Sequence, residues 1–326
     1  MKTTSLSSTI FQPFLRISYH AAGALPGFDR IIPRKWSLKE QLQFAVPENT
    51  CRFLQQDKQW IARVQSARLR SAILQHYARL GPNTDWRNLV ETCGDYGWDA
   101  IRNEQRPIIM VTPHYGSFVF ASLAIAQFLA PKRINIFYDD PKNNASNAQF
   151  FEILSSQANI RVLYNNPRGI ATAVKALKHG EVLTMFPDVY GSIDQTSFVP
   201  FLDRYLRIMP GTAFLARRNQ ALVVPAYSWP RKKFGAYIQL DRPIDPLQFI
   251  DGDAEQQEFA INCEIFASIS KKLREMPEYW HYWERLSEIS QPSTTGHWQN
   301  RVQSRLLQVP ALHRMLSHYS IKREEA

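Results

Sequence analysis

The sequence is poor in cysteine. It has three among 326 residues, Cys51, Cys93 and Cys263, an odd number at wide spacing. Neither a disulfide framework nor a zinc site built on closely spaced cysteines fits that arrangement. We therefore expect no metal site and a reducing, cytoplasmic environment.

A long apolar run followed by a cleavage site is also missing at the N-terminus. Pro13 and Arg16 interrupt what hydrophobicity the first residues have, so we expect no signal peptide. Residues 107–131 carry no formal charge and are long enough to span a bilayer. However, they contain Pro-His-Tyr-Gly-Ser at 113–117. This polar, helix-breaking stretch favours a strand, a turn and a helix over a membrane span.

Several motifs that identify common enzyme classes are absent. The chain has no GxGxxG or GxxxxGKS loop, no HExxH and no GxSxG. These absences remove the sequence support for nucleotide-binding folds, zinc proteases and α/β-hydrolases. No internal repeat is evident, and nothing in the sequence indicates a cofactor.

The charge balance is basic. Lys and Arg outnumber Asp and Glu by 39 to 29, which gives a net charge of +10. Such an excess attracts acidic partners over a long range, whether an acidic carrier protein, an anionic membrane face or nucleic acid. The basic residues are dispersed and no nucleic-acid-binding motif occurs, so we expect no nucleic acid among the partners.

The hydrophobic pattern changes several times along the chain. Residues 1–35 show no sustained period and are predicted to be irregular. The rest is predicted to form one α/β domain over 36–290, with helices in 36–105, a sheet core in 106–245 and a closing helix in 254–290, followed by a linker and a basic amphipathic tail in 291–326. A tail of this kind docks on a membrane or on the protein's own body, and both remain open.

From Arg106 onward, short apolar strands alternate with helices. This alternation predicts an α/β fold with a mixed, mostly parallel central sheet flanked by helices, and with an N-terminal helical segment. The last strand is expected to be antiparallel, because the connection at 229–235 is short and turn-rich. The predicted strands are Ile108–Thr112, Ile134–Tyr138, Ile160–Leu163, Val182–Phe186, Leu222–Tyr227 and Ala236–Leu240. The predicted helices between them are Ser117–Leu129, Asn147–Gln157, Ile170–Lys178 and Thr212–Arg218.

One strand–turn–helix unit, residues 107–130, carries a histidine. Ile108–Val111 is an unbroken apolar run, typical of a strand that is buried on both faces. Pro113 and Gly116 end this strand, and Ser117 is suited to cap the next helix. His114 is therefore expected at the carboxyl edge of the sheet and near a helix N-terminus, where open α/β folds bind their ligands.

Four stretches and a closing one stand in a fixed order along the chain. They are TPHYGSFV at 112–119, NIFYDDPKNN at 135–144, RGIATAVKALKHGEVLTMFPDVYG at 168–191, FVPFLDRYLRIMPGTAFLARRNQALVVPAY at 198–227 and LREMPEYWHYWERL at 273–286. This ordered set, over residues 85–287, resembles the bacterial lipid A acyltransferase family, the late acyltransferases, within the glycerophosphate-acyltransferase-like superfamily. The resemblance implies a mixed α/β sandwich. It also implies transfer of a fatty acyl chain from an acyl carrier protein thioester to a hydroxyl of a lipid.

That reaction needs a base, and the resemblance gives this role to His114. An imidazole removes a proton from a hydroxyl or an amine near neutral pH with little retuning. The oxyanion that forms next needs donors, which we expect from the backbone N–H groups of Tyr115, Gly116 and Ser117 or from a nearby arginine. Ser117 is not expected to be a nucleophile, because no elbow motif or activating arrangement surrounds it. Trp280 in the closing stretch is interpreted as a packing residue.

The chain departs from the family's His-x4-Asp/Glu motif, in which the acid orients the imidazole. Val119 occupies the position of the acid, and Asp139 stands where the family tends to carry an arginine. Three interpretations remain open. Asp139 or Asp140 replaces the missing acid from the end of the next strand, His114 works alone or with a water, or catalysis has been lost. Both aspartates are also ordinary choices for a strand-ending turn.

Four further residues are candidate substrate-binding positions. Asp188 keeps the family's Pro-Asp pair at a strand end, where it positions the acceptor, fixes the active-site loop or forms a purely structural turn. Arg168 precedes a helix and either meets an acidic group or is a solvated cap residue. Gly211 and Thr212 open a helix whose N–H groups are able to bind a phosphate or an oxyanion, although helix initiation alone also explains them.

Two hypotheses of different classes follow. The first is an acyltransferase that takes an acyl chain from a carrier-protein thioester, with His114 as general base and a hydroxyl or amine of a lipid or a carrier-bound intermediate as acceptor. The second is a non-catalytic member of the same fold that binds an acyl chain or a carrier protein. Both predict an acyl carrier protein or another carrier protein as partner, no cofactor, and a cytoplasmic location. Peripheral contact with the inner membrane stays open.

Overall fold

A central β-sheet runs through the computed structural model, which describes residues 13, 15–21, 54, 59–80, 84–138, 148–189, 197–292 and 296–313. Its main helices and strands follow in the order α1 (Trp60–Leu80), β1 (Val90–Gly94), α2 (Trp98–Asn103), β2 (Ile108–Val111), α3 (Phe118–Leu129), β3 (Ile134–Tyr138), α4 (Ala148–Ser155), β4 (Ile160–Tyr164), α5 (Pro167–Lys178), β5 (Val182–Met185), β6 (Ser197–Phe201), β7 (Arg204–Ile208), α6 (Gly211–Asn219), β8 (Leu222–Pro230), β9 (Ala236–Leu240), α7 (Ala254–Glu275), α8 (Leu286–Ile289), β10 (Ser290–Pro292) and α9 (Gly296–Gln308). Short 3-10 helices lie between some of them, at Trp86–Leu89, Pro246–Phe249, Pro277–Tyr279, Trp283–Arg285 and Pro310–Leu312.

The main sheet has seven strands in the order β1-β9-β8-β2-β5-β3-β4. The five strands from β8 to β4 are parallel to one another, whereas β9 is antiparallel to β8, and β1 is parallel to β9. Strand β2 is central, and the carboxyl ends of the five parallel strands meet at one edge. A second, antiparallel sheet has the order β10-β7-β6.

Strand β2 shows how the sheet divides the core into two layers. Ile108 and Met110 belong to a cluster with α3 on one face, and Ile109 and Val111 belong to a cluster with α7 on the other. Successive side chains of a strand point to opposite faces, which explains the division between two clusters. All four side chains are buried. Both faces of the strand are therefore covered, as is typical of parallel sheets.

The uncharged stretch 107–131 forms β2, the turn with His114 and α3, as the sequence predicts. Helix α3 has 12 residues and is therefore about 18 Å long, much shorter than the hydrocarbon core of a bilayer. Across the part of the chain that the structure describes, no helix has the length and apolar character to cross a membrane.

The predicted fold class is confirmed. The six predicted strands and the four helices between them correspond to observed elements within a few residues, and β9 is antiparallel to its neighbour as expected. The prediction that residues 36–105 are helical is wrong at Val90–Gly94, which form β1. Four of the five residues of β1 are exposed, because it is an edge strand, and so it lacks the apolar pattern that identifies a strand.

The first stretch of the chain also differs from its prediction. Residues 15–21, within a segment predicted to be irregular, are helical. Leu15 and Tyr19 are fully buried in the α3 cluster, and the Tyr19 hydroxyl donates a hydrogen bond to the carbonyl of Gly235 at 2.8 Å. So short a helix shows too few turns for its period to be recognised in the sequence.

The C-terminal segment packs on the body of the protein. The predicted linker begins within β10, which pairs with β7, and α9 buries Val302 and Leu306 in the α7 cluster. Arg305 forms an ion pair with Glu255 of α7. Of the two docking modes left open for the tail, residues 296–313 adopt the one on the protein's own body.

Candidate active site

Strand β2 leads into α3 through a turn that requires glycine at one position. Gly116 has a φ of 54°, in the left-handed region that favours glycine. A Cβ atom at this position would lie 2.0 Å from the carbonyl oxygen of Ser228 in β8. This close approach of two backbones fixes the turn that carries His114.

His114 and Asp188 form a hydrogen-bonded pair. The Nδ1 atom of His114 lies 2.9 Å from Oδ1 of Asp188, and the backbone N–H of His114 donates to Oδ2 at 2.8 Å. Because a carboxylate only accepts hydrogen bonds, the proton of the neutral ring lies on Nδ1. Nε2 then carries a lone pair, as a general base requires.

The sheet topology brings these two residues together although they are 74 positions apart. Strands β2 and β5 are adjacent and parallel, and the N–H of Thr112 donates to the carbonyl of Met185, which extends the pairing past the strand ends. His114 and Asp188 each follow three residues after their strand. Residues at equivalent places after parallel neighbours meet at one edge of the sheet.

Asp188 is buried and keeps its charge. Burial alone raises the pKa of this carboxyl, but the His114 ring and the N–H donors of His114 and Trp280 outweigh burial and hold the pKa below its usual value. The Trp280 donor is the indole Nε1, 3.0 Å from Oδ2. A carboxylate with this many donors is able to remain ionised away from water. His114 therefore faces a fixed negative charge.

The His114 side chain keeps access to solvent. It is 20% exposed, and its Nε2 receives or donates no hydrogen bond within the part of the chain that the structure describes. Three aromatic rings, those of Phe118, Phe186 and Tyr282, surround the imidazole, and Tyr282 stacks on it at a centroid distance of 4.6 Å. An available basic nitrogen in apolar surroundings suits chemistry on a substrate with a hydrocarbon chain.

Residues 276–286, which we call the closing segment, hold the turn from the other side. Two backbone hydrogen bonds join them: Gly116 N–H donates to the Tyr279 carbonyl at 2.7 Å, and His281 N–H donates to the His114 carbonyl at 2.9 Å. The His281 ring adds a third contact, from Nε2 to the Gly116 carbonyl at 3.0 Å. The turn and the closing segment are therefore one rigid unit.

His281 is kept neutral by its surroundings. Burial lowers its pKa to about 3, and the positive charge of Arg68 adds to this effect. Arg68 is itself paired with Glu284 at 2.6 Å. Because a neutral imidazole has one N–H, the contact with Gly116 identifies Nε2 as the donor. This second histidine is thus a structural donor and not a second base.

The three turn residues that were predicted to bind substrate are engaged within the protein. Tyr115 is fully buried and its hydroxyl donates to the Met276 carbonyl at 2.8 Å. Ser117 is fully buried, with its hydroxyl 3.4 Å from that of Ser71. The N–H of Gly116 is bonded to the closing segment, and the role of these N–H groups towards an oxyanion stays a prediction. These residues shape the turn.

The remaining candidate residues share the sheet edge with His114 but are spread along it. Arg168 is exposed in the first turn of α5, which follows β4, three strands from β2 and therefore about 14 Å away. Gly211 and Thr212 open α6. That helix ends just before β8 begins, so its N-terminus points towards the same edge. The ligand contacts of these residues stay predictions.

The acid that faces His114 is not one that the sequence analysis assigned to this role. Asp139 and Asp140 lie outside the described residues, and the hypothesis that one of them orients His114 stays a prediction. The strand before them, β3, is separated from β2 by β5. Val119, at the position of the family's acid, is 1% exposed within the α3 cluster. The residue that contacts Nδ1 of His114 is Asp188, which was expected to position the acceptor, to fix the loop or to form a structural turn.

Trp280 is the residue whose importance is hardest to see in the sequence. Its indole reaches Asp188 from 92 positions away, and the only sequence signal is its place within the closing stretch of the ordered set. Among the residues with described positions, no three or more His, Cys, Asp or Glu side chains group to hold a metal ion.

Known proteins are similar to this chain over parts of its length. A lipid A biosynthesis acyltransferase of Haemophilus influenzae is 27% identical over 103 residues, which make up 32% of this chain and only 31% of that protein. The crystal structure of the 1-acyl-sn-glycerophosphate acyltransferase of Thermotoga maritima is 15% identical with a TM-score of 0.35, covering 81% of this chain and 98% of that one. The model of the family described as bacterial lipid A biosynthesis acyltransferase matches residues 84–286, more than half of the chain. The chain therefore belongs to the bacterial lipid A biosynthesis acyltransferase family.

Proposed function

We propose that this protein is an acyltransferase in which His114 is the general base and Asp188 is the acid that orients it. The observation that carries the proposal is the 2.9 Å contact between Nδ1 and Oδ1, with Nε2 unbonded among the described residues. Membership of the family supports acyl transfer as the class of reaction. An imidazole held by a buried carboxylate is the arrangement that acyl-transfer enzymes use to take up a proton.

The proton of the acceptor moves to His114. Nε2 removes it from a hydroxyl or an amine while the oxygen or nitrogen attacks the thioester carbonyl. Asp188 stabilises the positive ring through the Nδ1–H. The tetrahedral intermediate then collapses, the carbon–sulfur bond breaks, and the imidazolium returns the proton to the leaving thiolate. The products are the acylated acceptor and the free thiol.

We propose a carrier-protein thioester as the acyl donor. Acyl carrier proteins are acidic, and the net charge of +10 on this chain favours their approach. Because salt screens such attraction, kcat/KM for the acyl carrier is expected to fall as ionic strength rises, mainly through slower association. Steady-state rates at several salt concentrations check this. A rate that does not respond to salt would contradict docking by charge.

The acceptor that we propose to test first is a lipid A precursor. The relative in Haemophilus influenzae is named for lipid A biosynthesis, and both a hydroxyl and an amine suit the chemistry of His114. A carrier-bound biosynthetic intermediate is the other acceptor class to include. The aromatic rings around His114 provide apolar contact for the acyl chain in either case.

The test is to incubate the purified protein with acyl carrier proteins and these acceptors. Acyl transfer is measured by mass spectrometry, as the loss of the acyl chain from the carrier. His114→Ala is expected to reduce the rate by about a thousandfold or more, because the acceptor proton then has no base. His179→Ala is the matched control. His179 is exposed directly after α5, and its ring contacts the carbonyl of Lys175 in the last turn of that helix, so this variant should keep the wild-type rate.

Two outcomes would contradict the proposal in different ways. Equal rates in the wild type and in His114→Ala would remove His114 as the base. Tight binding of acyl carrier proteins without any change in carrier mass, for all acceptors, would support the non-catalytic binding function.

A further inference from the structure

We infer that Trp280 is a positioning residue, whose indole N–H holds the Asp188 carboxylate in the orientation that presents Oδ1 to Nδ1 of His114. This inference rests on the function proposed for the His114–Asp188 pair. The closing segment then has a role beyond packing, because it orients a side chain of the proposed catalytic pair.

Both oxygen atoms of Asp188 have partners. Oδ1 meets His114 Nδ1 at 2.9 Å, whereas Oδ2 accepts from the His114 backbone N–H at 2.8 Å and from Trp280 Nε1 at 3.0 Å. The terminal torsion of an aspartate has only a broad preference of its own, so these donors decide how the carboxylate is turned. The Trp280 donor is the one that comes from outside the His114 turn.

Packing fixes the direction of the indole N–H. Trp280 is fully buried. Its ring meets that of Trp283 edge-on at 4.8 Å and that of Phe201 at 5.5 Å. Its backbone forms an antiparallel bridge with Tyr115 in the turn. The ring is therefore held on both sides, and its N–H keeps pointing at Asp188.

A neutral donor suits this position electrostatically. The indole N–H only donates and carries no charge, so it stabilises the anionic form of Asp188 without competing with the imidazolium that forms during the reaction. An arginine or lysine in its place would pair with the carboxylate and weaken its hold on His114. Trp280 therefore orients the Asp188 carboxylate, whose negative charge remains available to stabilise the His114 ring.

The closing segment also contacts the other member of the pair. The Tyr282 ring stacks on the His114 imidazole with 26° between the planes. Trp280 and Tyr282 are two residues apart and reach Asp188 and His114 respectively. One short segment thus sets the position of the acid and of the base relative to each other.

The test removes the indole N–H and observes the His114 ring. In Trp280→Phe the site stays apolar but loses one donor to Oδ2. We expect the Nδ1–H tautomer of His114, observed through its ring nitrogen chemical shifts at neutral pH, to give way to a mixture of tautomers. We also expect kcat to fall about tenfold while KM is unchanged, because the effect is on the chemical step and not on substrate binding.

Trp86→Phe is the matched control. Trp86 is fully buried, as Trp280 is, but its ring packs against Tyr77 and Phe120, away from the pair. This variant also loses one buried indole N–H. We expect it to keep the single tautomer and to change kcat by less than about twofold.

The outcomes separate this inference from the proposed function. If Trp280→Phe keeps the tautomer and the kcat of Trp86→Phe, the inference is overturned while the proposed function stands. If the wild type transfers no acyl chain, the proposed function falls, and the tautomer measurement still decides the role of Trp280. If Trp280→Phe does not fold, benzothienylalanine at position 280 repeats the test, because it keeps the two-ring shape and has sulfur in place of the N–H.

Discussion

Two regions of the molecule place polar groups beside the ends of strands, and they differ in kind. One is a cleft of about 820 Å³ beside β8, where β1 and β9 end, with Asp241 and Lys271 among its lining residues. The other is the turn with His114 at the carboxyl edge of the parallel strands. The cleft and the contacts of His114 share no residue.

The chemical groups in these two regions favour the turn over the cleft as the place of the proposed reaction. In the cleft, the Asp241 carboxylate accepts hydrogen bonds from the Gln239 amide at 2.6 Å and the Ser268 hydroxyl at 3.3 Å, and neither donor is a base near neutral pH. At the turn, the Asp188 carboxylate holds a ring whose second nitrogen is available. A coupled acid and base, and not the size of a space, identifies the candidate site.

Removing the charge of each aspartate tests this difference most strongly. We expect Asp188→Asn to lower kcat by about a thousandfold or more, because an amide is able to donate to Nδ1 and then favours the tautomer with its proton on Nε2. Asp241→Asn, the matched change in the cleft, should alter kcat by less than about twofold. Steady-state acyl transfer measures both variants. Similar losses in both would end the distinction between the two regions.

The close packing of the His114 turn predicts the next largest effect. Gly116→Ala is expected to reduce the free energy of unfolding by about 3 kcal/mol or more, because its Cβ would meet the Ser228 carbonyl at 2.0 Å and its φ is 54°. Gly180 has a similar φ of 70° with nothing within 4 Å of a Cβ, so Gly180→Ala should cost about 1–2 kcal/mol. Denaturant unfolding compares the two variants. Equal losses would show that the backbone of the His114 turn shifts to make room for the added Cβ.

Local patterns in the sequence predict the strand and the turn but not the partners of the histidine. The apolar run of β2, the breaks at Pro113 and Gly116 and the apolar helix after them all lie within a short window, so His114 and its place at the sheet edge follow from the sequence. The strand order does not. Asp139 and Asp140 follow the next strand along the chain, yet β5 and not β3 is the neighbour of β2, and Asp188 follows β5.

Contacts between distant segments explain the other differences. Trp280 reaches Asp188 only because the closing segment folds back onto the turn, and no periodic pattern encodes that return. Strand β1 is exposed at the edge of the sheet, so it has no apolar alternation to detect. Residues 15–21 are helical because Leu15 and Tyr19 pack in the α3 cluster. Tertiary packing, and not a local sequence pattern, stabilises this helix.

The pH dependence of folding gives a smaller effect, and His281 is its source. The folded pKa of His281 is about 3, against about 6.5 for an unfolded chain. Between these values the unfolded state binds more protons, so stability falls as the pH is lowered from 6.5 towards 3. The carboxylate of Asp188, whose folded pKa is below its usual value, contributes stability that is lost only at lower pH, below about 3.9.

His281→Gln removes this titration while keeping a side-chain N–H for the Gly116 carbonyl. From pH 6.5 to 4.5 we expect the wild type to lose about 2 kcal/mol more of its free energy of unfolding than the variant does. Urea unfolding at the two pH values measures the difference. His179→Gln, at an exposed position, is the control and should follow the wild type. Parallel losses in the wild type and His281→Gln would show that His281 is already charged in the folded protein.

The smallest expected effect comes from the large cleft. Lys271 is exposed and lines it, so Lys271→Ala removes a charge and part of the lining without opening the core. We expect unchanged thermal stability and a kcat within about twofold of the wild type. KM for the acyl carrier should rise only slightly, because one exposed charge adds little to long-range attraction. If kcat falls more than about tenfold, the cleft takes part in the reaction. The hydrogen-bonded pair of His114 and Asp188 then no longer identifies the candidate site by itself.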